Sequence, residues 1–172
     1  MSPLDPGSYA LTATRSTSDI GTAITSADAL AALKIAVAMN PNPTVNSVQL
    51  AVSPFQIMAA DANQDGKVTS ADALAILKMA VHMSNALTPE WMFVDETRDL
   101  SALSRTSAAW DHTTNANVAG IFVDNLAGFI KGDVNGSWTS PAGTQYVETT
   151  DPNHFTNLNS TLHIPLSEWG VL

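Results

Sequence analysis

Asp61-Ala62-Asn63-Gln64-Asp65-Gly66-Lys67-Val68-Thr69-Ser70-Ala71-Asp72 is the stretch on which the reading of this chain turns. Oxygen-bearing side chains fall at loop positions 1, 3, 5, 9 and 12, and Gly66 stands at position 6, where a sharp turn needs positive φ. This is the spacing of an EF-hand calcium loop, closed by Asp where Glu is usual. A hard cation takes six to eight oxygens, so a short segment wraps it by turning alternate residues inward. Asp61, Asn63 and Asp65 are read as side-chain ligands and Lys67 as a carbonyl donor. Thr69 acts directly or through water, and Asp72 closes the shell. The implied ion is Ca2+. The rival reading is an Asx-rich turn that only caps the following helix.

The same stretch opens a repeat. Thr25-Ser26-Ala27-Asp28-Ala29-Leu30-Ala31-Ala32-Leu33-Lys34-Ile35-Ala36-Val37-Ala38-Met39 returns 44 residues later as Thr69 to Met83, and only positions 32, 35 and 38 differ from their counterparts. A Thr/Ser cap, an acid in the first turn and an Ala/Leu-rich run predict a helix in each copy. Leu30, Leu33 and Val37, like Leu74, Leu77 and Val81, step by three and four and predict one buried apolar stripe. Asn40-Pro41-Asn42-Pro43 is expected to stop the first helix. Ser53-Pro54 predicts a short capped helix through Ala60. Upstream of the first helix, Thr17, Asp19, Gly21, Thr25 and Asp28 take the loop positions. The acid of position 5 and the glycine of position 6 are missing, so this loop is expected to bind calcium weakly or not at all. Ile24 matches Val68 at position 8, where paired loops join through the backbone.

Composition narrows the function classes. The 172 residues carry 16 acidic and 7 basic side chains, a formal charge of −9, and no cysteine. This charge, without a basic patch, argues against nucleic acid or an anionic membrane as a partner, and the absence of thiols excludes disulfides and thiolate metal sites. No apolar run reaches the roughly 18 residues of a membrane span. Charged residues are only 13% of the chain, the bland polar balance of exported bacterial proteins. Met1-Ser2-Pro3-Leu4-Asp5 has neither a basic n-region nor an apolar h-region. The expectation is a fragment of a longer exported protein, secreted or held at the cell surface.

Two loop–helix units with Asp-x-Asn-x-Asp-Gly and a closing Asp resemble a type I dockerin, over roughly residues 12 to 84. The resemblance implies docking to a cohesin-like domain, with the chain a monomer beforehand. In that family the contacts lie at loop positions 10 and 11 and at helix positions near 17, 18 and 22. Those correspond here to Ser26, Ala27, Leu33, Lys34 and Ala38 in the first copy, and to Ser70, Ala71, Leu77, Lys78 and His82 in the second. The partner-binding set taken forward is Ser26, Ala27, Lys34, Ser70, Ala71 and Lys78. The later stretch through Thr88-Pro89-Glu90-Trp91-Met92-Phe93-Val94-Asp95 resembles the C-terminal ends of large exported repeat proteins.

From Thr88 the helical period disappears. Trp91 to Val94 reads as a strand and Asp95 to Asp99 as a polar turn. Ala116–Val123 and Leu126–Ile130, joined by Asp124-Asn125, suggest an antiparallel hairpin. Gly132-Asp133-Val134-Asn135-Gly136-Ser137-Trp138 repeats the Asp-x-Asn-x-Ser rhythm of a calcium loop, but Thr144 stands where position 12 needs an acid. It is read as a turn closing a β-edge, with a metal loop as the alternative. Asp151-Pro152 with Phe155, Leu158 and Leu162 predicts a C-terminal helix. The expected fold is therefore α+β: an EF-hand-like dockerin helix pair over 1–87, then a β-containing subdomain over 88–172 with a C-terminal helix. No nucleophile elbow, zinc-protease or nucleotide motif appears, and Asp111-His112, His154 and His163 lack partners, so no catalytic residue is expected. The expected function is non-catalytic calcium-dependent attachment. The alternative is a calcium-stabilised cap on a secreted adhesin or repeat protein, with no separate partner.

Overall fold

The computed structural model describes residues 7–11, 13–118, 126–139, 147–148 and 160–162. Within these, helices and small antiparallel sheets give a mixed α+β fold. Strand β1 (Gly7–Leu11) is followed by a 3-10 turn at Thr17–Asp19 and helix α1 (Ser26–Ala36). A short hairpin, β2 (Thr44–Val45) and β3 (Val48–Gln49), leads to α2 (Pro54–Ala60) and α3 (Ser70–Ala80). Then come β4 (Trp91–Asp95), β5 (Thr114–Val118), β6 (Leu126–Ile130), β7 (Val147–Glu148) and β8 (Ser160–Leu162).

The repeats fold alike from end to end. Thr25 and Thr69 each cap a helix: the threonine hydroxyl accepts from Ala27 N–H or Ala71 N–H, while Asp28 or Asp72 accepts from the threonine N–H at 2.8 Å. At the other end, Met39 N–H donates to Lys34 C=O at 2.8 Å and Met83 N–H to Lys78 C=O at 3.0 Å. These close Schellman motifs through Ala38 and His82, with φ of 60° and 53°. The first helix thus ends before the Asn40–Pro43 breaker is reached. Ser53, Pro54 and Gln56 start α2 with a capping box and proline at its first turn, as the sequence predicts.

Helix α1 packs chiefly on α3, and the face it uses is not the leucine stripe. The buried apolar residues are Ala29, Ala31, Ala32 and Ile35 of α1 and Ala73, Ile76 and Met79 of α3. Leu30, Leu33 and Val37 are 54, 41 and 58% exposed, and Leu74, Leu77 and Val81 are 53, 40 and 59% exposed. The predicted buried stripe is corrected to an outward one. Small side chains on the opposite face let the helices and the strands behind them approach closely.

The core crosses the 87/88 division. Ile35, Ile76 and Met79 share one cluster with Trp91, Ile130, Val134 and Trp138, and a second cluster joins Phe55 and Met58 to Met92, Val94 and Phe129. Trp91 and Trp138 meet edge to face at 4.8 Å between centroids. Strand β1, from the first half, pairs antiparallel with β5, from the second.

The hairpin expected between 116–123 and 126–130 is not formed by the described strands. β5 is taken by β1, while β6 lies between β4 and β8 in the order β4-β6-β8-β7. Side-chain fit favours this non-local register: Phe93 sits opposite Gly128, where a Cβ would approach its ring at 3.1 Å. The C-terminal helix is corrected at Leu162, which lies in β8 opposite Leu126; Phe155 and Leu158 lie outside the described residues.

Candidate metal centre

Residues 61–69 join α2 to α3, and hydrogen bonds fold residues 61–72 around their own oxygens. Asp61 carboxylate oxygens accept from Asp65 N–H at 3.1 Å and Gly66 N–H at 2.9 Å. Asn63 Oδ1 accepts from Asp65 N–H at 2.9 Å, and Asp65 Oδ1 accepts from Lys67 N–H at 3.0 Å. From the helix start, Asp72 Oδ1 accepts from Asn63 N–H at 3.1 Å, so position 12 reaches back across the loop to position 3. Gly66 holds φ of +85°, and a Cβ there would meet Ala109 at 3.2 Å. Among the described residues, no group of three or more His, Cys, Asp or Glu side chains stands together as a metal cluster. A calcium loop also draws on amide and main-chain oxygens, and those are present here.

Negative charge is concentrated in the loop. Burial pushes the Asp61 carboxyl up from its ordinary value. The Gly66 N–H opposes that rise, and the negative charges of Asp72 and Asp65 add to it. Asp61 and Asp72 are buried while Asn63, Asp65 and Lys67 are exposed, leaving the loop open on one side. The Thr69 hydroxyl is engaged in capping, accepting from Ala71 N–H and donating to Asp72 at 2.9 Å. Its contribution to an ion would therefore pass through its effect on Asp72.

The expected backbone bridge from Val68 to Ile24 is replaced. Val68 N–H donates to Arg105 C=O at 2.7 Å and Ala108 N–H to Gly66 C=O at 2.8 Å, so the 105–108 segment runs beside the loop. Ile24 instead contributes its side chain to the core.

Of the expected partner-binding residues, Ser26, Ala27, Ser70 and Ala71 are exposed, and Lys34 and Lys78 are half-buried. They share the two helices with the outward leucine and valine stripes, giving each repeat an apolar face with a hydroxyl at one end and a lysine along it.

The Asp133 loop does not sit at an open β-edge. Asp133 is fully buried after β6, against the start of α1, and its carboxyl is pushed up to about 6 by burial, opposed by the Ser137 and Trp138 N–H groups and reinforced by the charge of Asp28. Asp28 is also fully buried. The usable signal for this pair was a matching deficit: the Asp133 loop lacks a closing acid, and the first repeat has a closing acid without the loop ahead of it.

Comparison with known protein families, with curated proteins and with solved structures found no match for this chain.

Proposed function

We propose that this chain is a non-catalytic, calcium-binding attachment module of the dockerin kind. In this reading it belongs to a larger exported bacterial protein, secreted or at the cell surface, and docks as a monomer onto a cohesin-like domain. The observation that carries the reading is the exposure of the same face on both repeat helices. Leu30, Leu33 and Val37, and Leu74, Leu77 and Val81, cost free energy in contact with water, and two such stripes of matched sequence suit a covering partner. Calcium held by Asp61, Asn63, Asp65, the Lys67 carbonyl and Asp72, with Thr69 orienting Asp72, sets how α3 leaves its loop. Three carboxylates in one loop and many flexible oxygens favour calcium over magnesium, which gives up its water reluctantly.

Twin faces make a demand on mutants. Ser70→Asp with Lys78→Glu should spare binding to an immobilised cohesin-like domain in calcium, as should Ser26→Asp with Lys34→Glu, while the fourfold variant abolishes it. Retained affinity in the fourfold variant moves the interface elsewhere. The structural-cap alternative draws support from the core shared across residue 88, because an element that binds both halves of a chain also stiffens its end. It predicts that no cohesin-like domain binds with or without calcium, while calcium still raises the melting temperature.

A further inference from the structure

The hydrogen bonds that frame loop 61–72 recur elsewhere in the molecule, built from two segments far apart in the chain. In the loop, Asp61 accepts from the N–H groups four and five residues on. Asp133 does the same: its Oδ1 accepts from Ser137 N–H at 2.9 Å and its Oδ2 from Trp138 N–H at 3.0 Å. Asp72 Oδ1 accepts from Asn63 N–H, two residues after Asp61. Asp28 Oδ1 accepts from Asn135 N–H at 2.9 Å, two residues after Asp133. The remaining Asp28 oxygen takes Thr25 N–H at 2.8 Å and Thr25 Oγ1–H at 2.9 Å, as Asp72 takes those of Thr69. Position 4 is left-handed in both, with φ of 59° at Gln64 and 64° at Gly136. Position 5 meets position 7 directly, since Ser137 Oγ donates to Ala23 C=O at 2.9 Å.

We infer that Asp133, Asn135 and Ser137, together with the Ala23 carbonyl and Asp28, form a second, split calcium site of the same plan. Loop positions 1, 3 and 5 come from the segment after β6, and positions 7 and 12 from the segment entering α1. Asn135 Oδ1 is buried with no hydrogen-bond partner, an acceptor left without a donor at the position where loop 61–72 has Asn63. Such an atom is costly unless a cation or a water takes it. Asp28 and Asp133 are both fully buried, and neither is paired with a basic side chain among the described residues. Two carboxylates, an amide oxygen, a hydroxyl and a main-chain carbonyl are the oxygen donors calcium uses, with water completing the shell. The site has two carboxylates where loop 61–72 has three, so its affinity is the lower of the two.

The inference shares calcium chemistry with the proposed function but uses none of its ligands, so the two fail separately. The test is calorimetric titration of calcium chloride into the chelator-treated full chain. Two equivalents are expected to bind, falling to one in Asp133→Asn and to one in Asp61→Asn. A single equivalent, lost in Asp61→Asn and kept in Asp133→Asn, overturns the split site and spares loop 61–72. A single equivalent lost only in Asp133→Asn supports the split site and overturns the reading of loop 61–72. No binding up to millimolar calcium overturns both. Should Asp133→Asn fail to fold, Asn135→Ala decides, because its side-chain carbonyl oxygen has no hydrogen-bond partner among the described residues and the substitution keeps the backbone N–H bond to Asp28. It should weaken the lower-affinity site on the order of tenfold or more and leave the calcium-free melting temperature unchanged or raised. Unaltered affinity in Asn135→Ala overturns the inference.

Discussion

Loop 61–72 and the Asp28–Asp133 pair make the same hydrogen-bond frame from opposite kinds of chain. The first is one continuous run of twelve residues. The second brings Asp28 and Asn135 together at 2.9 Å across more than a hundred residues. A continuous loop is ordered by local turns and costs little chain entropy to close. A split one forms only when the core between Ile35, Ile130 and Val134 has already brought its halves together. The same chemistry therefore has different consequences. On the proposed reading, an ion in the first would set the geometry of α2 and α3, and one in the second would clamp the start of α1 to the segment after β6.

The largest effect that can break this comparison is calcium removal. Each site at hundredfold excess over its Kd adds about 2.7 kcal/mol to stability. Chelation should lower the melting temperature on the order of 10 °C or more. With a split site and a shared core, far-UV dichroism and tryptophan emission should fall in one transition. Helical signal lost while tryptophan emission stays native would separate the halves at residue 88 and remove the clamp.

A smaller contrast compares single ligands. Asp61→Ala and Asp133→Ala should each lower the calcium-loaded melting temperature by removing one site's contribution. In the calcium-free protein, Asp61→Ala should cost less than Asp133→Ala: it too removes the acceptor of two N–H groups, but these are part-buried in a loop open on one side, and the carboxylate lost was itself disfavoured by burial and by the charges of Asp72 and Asp65. Asp133→Ala should destabilise the calcium-free state by about 1–3 kcal/mol, since the buried Trp138 N–H and the part-buried Ser137 N–H lose their acceptor. Equal calcium-free melting temperatures, measured by scanning calorimetry, would mean that the Asp133 frame contributes no more to the fold than loop 61–72 does.

Two helix-end changes sharpen the likeness of the repeats. Thr25→Ala and Thr69→Ala should cost about 1 kcal/mol each by urea unfolding, because both hydroxyls cap a helix and steady an aspartate. A twofold difference would show that the frames are unequally loaded. The smallest effect runs the other way: Ala38→Gly and His82→Gly should stabilise by about 0.5–1 kcal/mol, relieving left-handed backbone at the Schellman turns. Loss of stability in either would mean that the side chain there makes packing worth more than the strain.

These differences also mark what the amino-acid sequence could carry. Helices α1, α2 and α3 were readable because caps and repeats are local, and so was the tight turning of residues 61–72, whose oxygen-bearing side chains recur within twelve positions. The buried face of α1 and α3 was misread because hydropathy ranks leucine above alanine, whereas close packing here selects Ala29, Ala32 and Ala73. Strand partners were misread where a local turn signal at Asp124-Asn125 competed with the long-range fit of Phe93 over Gly128. Asp28 and Asp133 each looked like half of a broken motif, because alignment along the repeat compares each loop only with its counterpart 44 residues away. Nothing in that comparison joins residue 28 to residue 133.

The most direct measurement is anomalous scattering from crystals of the full chain grown with a calcium-mimicking lanthanide. Two peaks are predicted, each with oxygens about 2.3–2.6 Å away. One should lie among Asp61, Asn63, Asp65 and Asp72, and the other between Asp28 and Asp133 with Asn135 Oδ1 turned onto it. A lattice with ordered loops and no peak at either place would contradict the account.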